Sequence, residues 1–365
     1  MTTTSQTATV ALPGRLGNPS LDLRSDPRAD PRMIAALAPF GLDTHGDPPP
    51  VSGASPRADL LQFAAGAEEG FEAVFAALVA GLAPVEGVTS TTQTIPGPAG
   101  NDIALYISRP TAATGPLPGV LHIHGGGMVI LSGSGPVYVR IREELAATGM
   151  VVVGVEYRNG GGVLGSHPFP AGLDDCTAAL QWVHANRADL GISKLVVAGE
   201  SGGANLTLAT TLRAKRDGHL AAIDGVYAMV PYVSGIYARS AAERGAELPS
   251  LVENDGYFIA CPLMDILVEV YDPGAANATN PLCWPYHATA EDLSGLPPHV
   301  VSVCELDPLR DEGLAYHRKL LAAGVESTGR MVLGVCHAGD VMFRAAMPDV
   351  YAATVRDIHR FAASR

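Results

Sequence analysis

Leu195-Val196-Val197-Ala198-Gly199-Glu200-Ser201-Gly202-Gly203-Ala204-Asn205-Leu206-Thr207-Leu208 passes from an apolar run, through a glycine-flanked serine, into helix-like spacing. A G-x-S-x-G pentapeptide arises by chance in a chain holding 41 glycines. Placed between strand and helix it means more. The serine then sits on a strained turn with its hydroxyl above a sheet, and a glycine on either side relieves the crowding. An ordinary glycine-rich strand-to-helix connection is the plainer alternative. The flanking sequence has to decide between them.

Working outward, short and nearly continuous apolar runs recur at Gly119–Ile123, Met150–Val155, Val226–Val230, Val300–Val303 and Met331–Val335. Runs of this kind are buried parallel strands. Helical spacing lies between most of them, at Val139–Ala147, Ala171–Asn186, Asn205–Arg216 and Glu312–Ala323. Ahead of them, Val88–Ile95 and Ile103–Ser108 alternate like antiparallel strands around the turn-rich Gly97-Pro98-Ala99-Gly100-Asn101-Asp102. Strand and helix in alternation predict an α/β fold, a mostly parallel sheet flanked by helices with an antiparallel start. One interval breaks the rhythm. About 70 residues separate Val230 from Val300, more than a crossover requires, and the stretch 234–296 reads as an insertion over the sheet's ligand end.

The beginning of the chain reads differently. Residues 1 to about 30 are polar and are expected to be poorly ordered, whereas Asp30–Leu82 turns helical, with Asp30-Pro31 as a cap and first turn. The expected organisation is an N-terminal tail and helical segment over residues 1–85, and a core over 86–365 interrupted at 234–296.

Composition removes several classes of function. The chain of 365 residues is 47 % hydrophobic and 17 % charged, which specifies a globular protein. A net charge of −13 leaves no excess of cations to meet phosphates, so nucleic acid is not an expected partner. The apolar run around Ala73–Pro84 is too short for a bilayer, and the Thr-rich start lacks a secretory pattern, so no membrane association is expected. Five cysteines, Cys176, Cys261, Cys283, Cys304 and Cys336, are odd in number and form no C-x-x-C pair. Neither zinc nor a disulfide framework is expected, and a reducing cytoplasm fits.

A second glycine cluster, His124-Gly125-Gly126-Gly127, follows the strand ending at Ile123. It lacks the lysine of a phosphate-binding loop and the spacing of a dinucleotide fingerprint. In this position it suits backbone N–H groups aimed at an oxygen that becomes negative during acyl transfer. Gly126 and Gly127 are the expected donors, with Gly202 as a third. The acid and the base should follow the serine in that order. Asp307, just past the strand ending near Cys304, is the expected acid; Glu305 and Asp311 are its competitors, and Asp311 suits the first turn of the next helix. Among 11 histidines, His337 alone comes directly after the last apolar run and before a C-terminal helix. His122 reads as a core residue, His167 as structural, and His219 and His359 as surface positions.

With these residues in hand, the sequence from about residue 85 onward resembles the bacterial hormone-sensitive-lipase-like carboxylesterases, family IV of the bacterial lipolytic enzymes. The resemblance rests on His124–Gly127, Gly199–Gly203, His167-Pro168-Phe169-Pro170 and Asp307-Pro308-Leu309-Arg310-Asp311-Glu312-Gly313. Within that group, Glu156–Gly160 and Leu248–Gly256 look like the brefeldin A esterase branch. The resemblance implies an α/β-hydrolase fold and triad roles for Ser201, Asp307 and His337. It also implies oxyanion donation by Gly126, Gly127 and Gly202, and a cap built from the N-terminal helical segment and the insertion. It implies no metal and no cofactor. Three stretches depart from the family pattern: Glu200 and Gly202 stand where Asp and Ala are commoner, Asn159-Gly160-Gly161-Gly162 follows Tyr-Arg, and Ala338-Gly339-Asp340 follows the histidine.

The expected reaction is hydrolysis of short- to medium-chain acyl esters through an acyl-enzyme. Lactone or amide hydrolysis and acyl transfer share the same triad and remain open, as does a non-catalytic small-molecule-binding role on the same scaffold. A homodimer through an edge strand or the cap is also left open.

Overall fold

The computed structural model describes residues 12–365. Its centre is one eight-stranded sheet: β1 (Val88–Pro96), β2 (Asp102–Pro110), β3 (Leu117–Ile123), β4 (Val151–Val155), β5 (Ile192–Glu200), β6 (Gly225–Met229), β7 (His299–Cys304) and β8 (Ser327–Val332). The spatial order is β1-β2-β4-β3-β5-β6-β7-β8. β1 pairs antiparallel with β2 and β2 with β4, and every later pairing is parallel. The fold is therefore the expected mostly parallel α/β sheet with an antiparallel start.

The central strands are unbroken apolar runs because helices cover both faces of the sheet. β4, β6 and β7 are buried along their whole length. The helices Pro136–Ala147, Ala171–Ala185, Gly202–Arg216, Arg310–Ala322 and Pro348–Ala363 supply that cover. β1 lies at one edge and is almost entirely exposed, and its Thr and Ser residues suit a solvated face. Among the described residues, no helix is long and apolar enough to cross a membrane.

Two expectations need correction. The last strand is Ser327–Val332, not Met331–Val335. As the edge partner of β7 it tolerates polar residues, whereas Val335 and Cys336 are buried in the loop that follows it. The apolar run thus marked a buried loop, in which Leu306 N–H donates to the Val335 carbonyl at 3.0 Å. Residues 12–30, expected to be poorly ordered, are folded against the rest of the chain; Met1–Ala11 lie outside the described residues. Leu23 is buried, and buried Asp26 accepts hydrogen bonds from Arg28 and from the Tyr257 hydroxyl. Charges paired with one another, rather than with water, made this stretch look solvated.

The helical stretch that begins at Asp30 is two helices, Pro31–Leu37 and Arg57–Val79, with a proline-rich loop between them. Asp30 caps the first by accepting the Arg32 N–H at 2.9 Å. Between β6 and β7 the chain forms the helices Ala241–Glu247, Ser250–Glu253, Cys261–Tyr271 and Ala290–Leu293. Cys261–Tyr271 packs on Arg57–Val79.

Candidate active site

The serine stands where β5 turns into the helix Gly202–Arg216. Its backbone is at φ 57°, ψ −121°, a region that only a tightly constrained turn imposes on a residue with a side chain. The constraints are visible on both sides. A Cβ at Gly203 would lie 2.0 Å from the Ile123 carbonyl oxygen, and one at Gly199 would lie 2.5 Å from the Gly203 oxygen. Ser201 N–H donates to the Met229 carbonyl at 3.0 Å, and the Ser201 carbonyl accepts Asn205 N–H at 3.1 Å and Tyr232 N–H at 3.2 Å. The turn is pinned from β6 and from its own helix.

The glycine loop after β3 meets this turn. A Cβ on Gly202 would fall 2.6 Å from the Met128 nitrogen and 2.7 Å from that of Gly127, so the two segments touch backbone to backbone. Gly126 and Gly127 have φ of 105° and 61°. At Gly126 a Cβ would strike the Ile130 carbonyl oxygen at 2.0 Å, and only glycine is accommodated there. The N–H groups of Gly126 and Gly127 have no acceptor among the described residues, and Gly202 opens its helix, so its N–H has no partner within it. Gly125 differs, because its N–H donates to Glu200 Oε1 at 2.8 Å.

His337 and Asp307 come from the far side. His337 Nδ1 lies 2.8 Å from Asp307 Oδ2, and Asp307 Oδ1 accepts the Leu309 N–H at 2.8 Å. Both oxygens of this fully buried carboxylate are therefore engaged. The two competitors point elsewhere. Asp311 accepts the Ser250 N–H at 2.7 Å and pairs with Arg310, and Glu305 accepts the Gly334 N–H at 2.8 Å. The residue after the histidine, Ala338, has φ 54°, a left-handed position that glycine would occupy without strain.

Ser201, His337, Gly126 and Gly127 line one cavity of about 730 Å3. Phe71 and Phe75 of Arg57–Val79 form one wall, and Phe258, Leu263, Met264 and Leu267 form another. Val137, Tyr138 and Ile141 also line it. The lining is almost wholly apolar, so a polar reacting group meets few competitors for the free N–H groups.

The contacts of three supporting residues went unread in the sequence. Glu200 is buried, takes the Gly125 N–H on one oxygen and sits 2.9 Å from His122 Nε2 through the other. His122, expected to be a core residue, is one, and its partner is the residue preceding the serine. The pairing of His122 with Ala198 across β3 and β5 follows from strand register, which a one-dimensional reading does not contain. Glu68, buried on Arg57–Val79, accepts Leu131 N–H at 2.6 Å and Val163 N–H at 2.7 Å. Asn159 Nδ2 donates to the Leu131 carbonyl at 2.6 Å, while Gly160 and Gly161 N–H groups donate to Met128 and Val129. The unusual Asn159–Gly162 segment is thus a brace behind the glycine loop, and the carboxylate of Glu68 leaves no room for a side chain at Gly162.

Comparison with known proteins identifies the family. Residues 120–340 match the family described as alpha/beta hydrolase fold. The chain belongs to that family. Within it, the chain sits among carboxylesterases related to hormone-sensitive lipase. It is similar to brefeldin A esterase, described as a bacterial homologue of human hormone sensitive lipase, with TM-score 0.95, 49 % identity, and 97 % of this chain and 99 % of that one covered. The structure of esterase Est22 superposes with TM-score 0.83 at 35 % identity, covering 94 % of this chain and 99 % of that one. Carboxylesterase NlhH of Mycobacterium tuberculosis is 33 % identical over 263 residues, 70 % of this chain and 77 % of its own.

Proposed function

We propose that this protein hydrolyses carboxylic esters with short to medium acyl groups by a two-step acyl transfer. Ser201 Oγ attacks the ester carbonyl while His337 takes its proton. Asp307 holds the ring by Nδ1, so that Nε2 is the basic nitrogen, and it stabilises the imidazolium that forms. The N–H groups of Gly126, Gly127 and Gly202 receive the oxyanion of the tetrahedral intermediate. His337 then protonates the leaving alcohol, water enters, and the acid is released in a second passage through the same intermediate.

The observation that carries this reading is the Asp307–His337 contact of 2.8 Å at the edge of the cavity that Ser201 and the two free glycine amides also line. The limit on acyl length is read from the aromatic walls, Phe71, Phe75 and Tyr138, which bound the cavity. In the same reading, Arg57–Val79 and the insertion of about 234–296 form a cap over a core that begins near residue 86. We also assign the protein to the reducing cytoplasm, on five cysteines that are all unpaired and buried.

A panel of p-nitrophenyl esters from acetate to long-chain acyl groups tests this. Activity should fall off beyond medium chains, and Ser201→Ala should lower turnover by at least about 10³-fold without altering the melting temperature. Retained turnover in that variant would exclude Ser201 as the nucleophile.

A further inference from the structure

A second hollow adjoins the cavity. It measures about 1470 Å3 and shares Phe258, Ile259 and Leu263 with the first. Its character is different. Arg15, Thr44, His45, Asp47 and Asp255 stand along it among Leu42 and Pro48–Pro50. Arg15 donates to the Asp255 carbonyl and touches the His45 ring, and no carboxylate pairs with its guanidinium among the described residues.

The ring between the two hollows is held there at a cost. Phe258 has φ 69°, a left-handed conformation that is an outlier for an aromatic residue and costs about 1–3 kcal/mol. Its neighbours enforce the position. Tyr257 and Ile259 form an isolated antiparallel bridge around it, and Gly256 N–H donates to the Ile259 carbonyl at 3.1 Å. The Tyr257 hydroxyl reaches Asp26 at 3.0 Å, and Asp255 accepts the Cys261 N–H at 2.8 Å. The Phe258 ring then stands edge-on to Phe71, with centroids 6.1 Å apart.

We propose that the outer cleft is the alcohol-side half of the substrate site, and that Phe258 is the partition setting how large an alcohol can reach it. This rests on the reading of Ser201 as nucleophile. In an acyl transfer the acyl group stays on the serine while the alcohol must leave before water attacks. The half that stays belongs in the smaller apolar cavity, and the half that departs belongs on the side of the wider cleft. Thr44 Oγ1 donates to the Gly41 carbonyl and His45 Nε2 lies against the Leu21 carbonyl, so the donors left for oxygens there are the Nε and Nη2 groups of Arg15. The substrate class is therefore esters of short to medium apolar acids with bulky alcohols that carry an oxygen function for the Arg15 guanidinium.

The test compares an acetylated hexoside with ethyl acetate, holding the acyl group fixed and reading the ratio of their kcat/KM values. Phe258→Ala should raise that ratio about tenfold or more, and Phe258→Trp should lower it, within the range that pocket contacts supply. Ala67→Trp, which fills the outer cleft from Arg57–Val79, should lower it too. If Phe258→Ala does not fold, Phe258→Leu and Ala67→Trp carry the test in the same directions. Ratios that stay within twofold in all variants overturn the proposal. So does a Phe258 variant that shifts the acyl-length profile and leaves the alcohol ratio alone. Retained turnover in Ser201→Ala would be a separate failure, of the nucleophile and not of the cleft.

Discussion

Glu200 joins the two backbone segments that approach the reacting oxygen, because one carboxylate binds the loop through Gly125 and the neighbouring strand through His122. Truncation leaves two buried polar groups unpaired, each at about 1–3 kcal/mol, and lets the glycine amides drift. Glu200→Ala should therefore lose kcat by about 10²-fold with a smaller change in KM, since misplacement acts on the transition state. Steady-state kinetics on a short ester would show it, and a pure KM effect would argue against the positioning role. Asp307 and Asp311 make a paired test. Asp307→Asn should cut turnover by about 10⁴-fold, because an amide cannot hold the ring in the same tautomer. Asp311→Asn removes only the acceptor for Ser250 N–H and the Arg310 partner, and should cost far less. The reverse order would give the acid role to Asp311. The placement of Asp307 after a strand and before a helix was legible in the sequence. The contacts of Glu200 were not, since its partners depend on which strands lie side by side.

At the level of elements, Leu248–Gly256 acquires a physical meaning. Ser250 Oγ donates to the Pro308 carbonyl at 2.6 Å, and Asn254 Nδ2 donates to the carbonyls of Glu305 and Asp307, both at 3.1 Å. Glu253, buried, pairs with Arg310 at 2.8 Å and with Arg28 from the N-terminal segment. Two separate parts of the chain, this segment and the N-terminal one, are thus tied to the loop that carries Asp307. Burial pushes the Glu253 carboxyl upward, but Arg310 and Arg28 outweigh it and hold it below its ordinary range. Glu253→Gln removes a carboxylate shared by two arginines, which keep Asp26 and Asp311 as their other partners, and should destabilise the fold by about 1–3 kcal/mol, read as a fall in denaturation midpoint. A change near zero would mean that the clamp is ornamental. The α/β alternation was legible because buried parallel strands and amphipathic helices leave distinct periods. The edge strand β8 was displaced in the reading because an edge relaxes the demand for apolar residues, and the loop behind it, buried at Val335 and Cys336, reinstates that demand. The folding of residues 12–30 was hidden for the same reason in reverse, since ion pairs such as Arg28–Asp26 satisfy charges that look destined for water.

At the scale of the whole molecule, one pH-sensitive group is a carboxyl outside the proposed triad. Glu312 is buried, and its oxygens take the Val233 N–H, the Ser234 hydroxyl and the Tyr237 hydroxyl, tying Arg310–Ala322 to the start of the insertion. Burial raises it from 4.5 to about 7 against those three donors. A carboxyl that holds its proton more tightly when folded adds stability below its unfolded value, and that stability is lost as pH rises through the folded one. Conformational stability should therefore decline between about pH 4.5 and 7 by an amount on the order of 3 kcal/mol from this group. In Glu312→Gln that slope should flatten, because the amide keeps the acceptor and donor without a proton to lose. Denaturation followed across that window checks it, and an equal slope in both proteins would remove Glu312 as the cause. In the proposed mechanism the chemistry rests on one hydroxyl, that of Ser201. Labelling with a p-nitrophenyl alkylphosphonate, followed by peptide mass spectrometry, addresses that hydroxyl directly. One adduct per chain is expected, on Ser201, with activity lost in proportion to labelling; loss of activity with Ser201 unmodified, or a fully modified Ser201 with activity intact, would exclude Ser201 as the nucleophile.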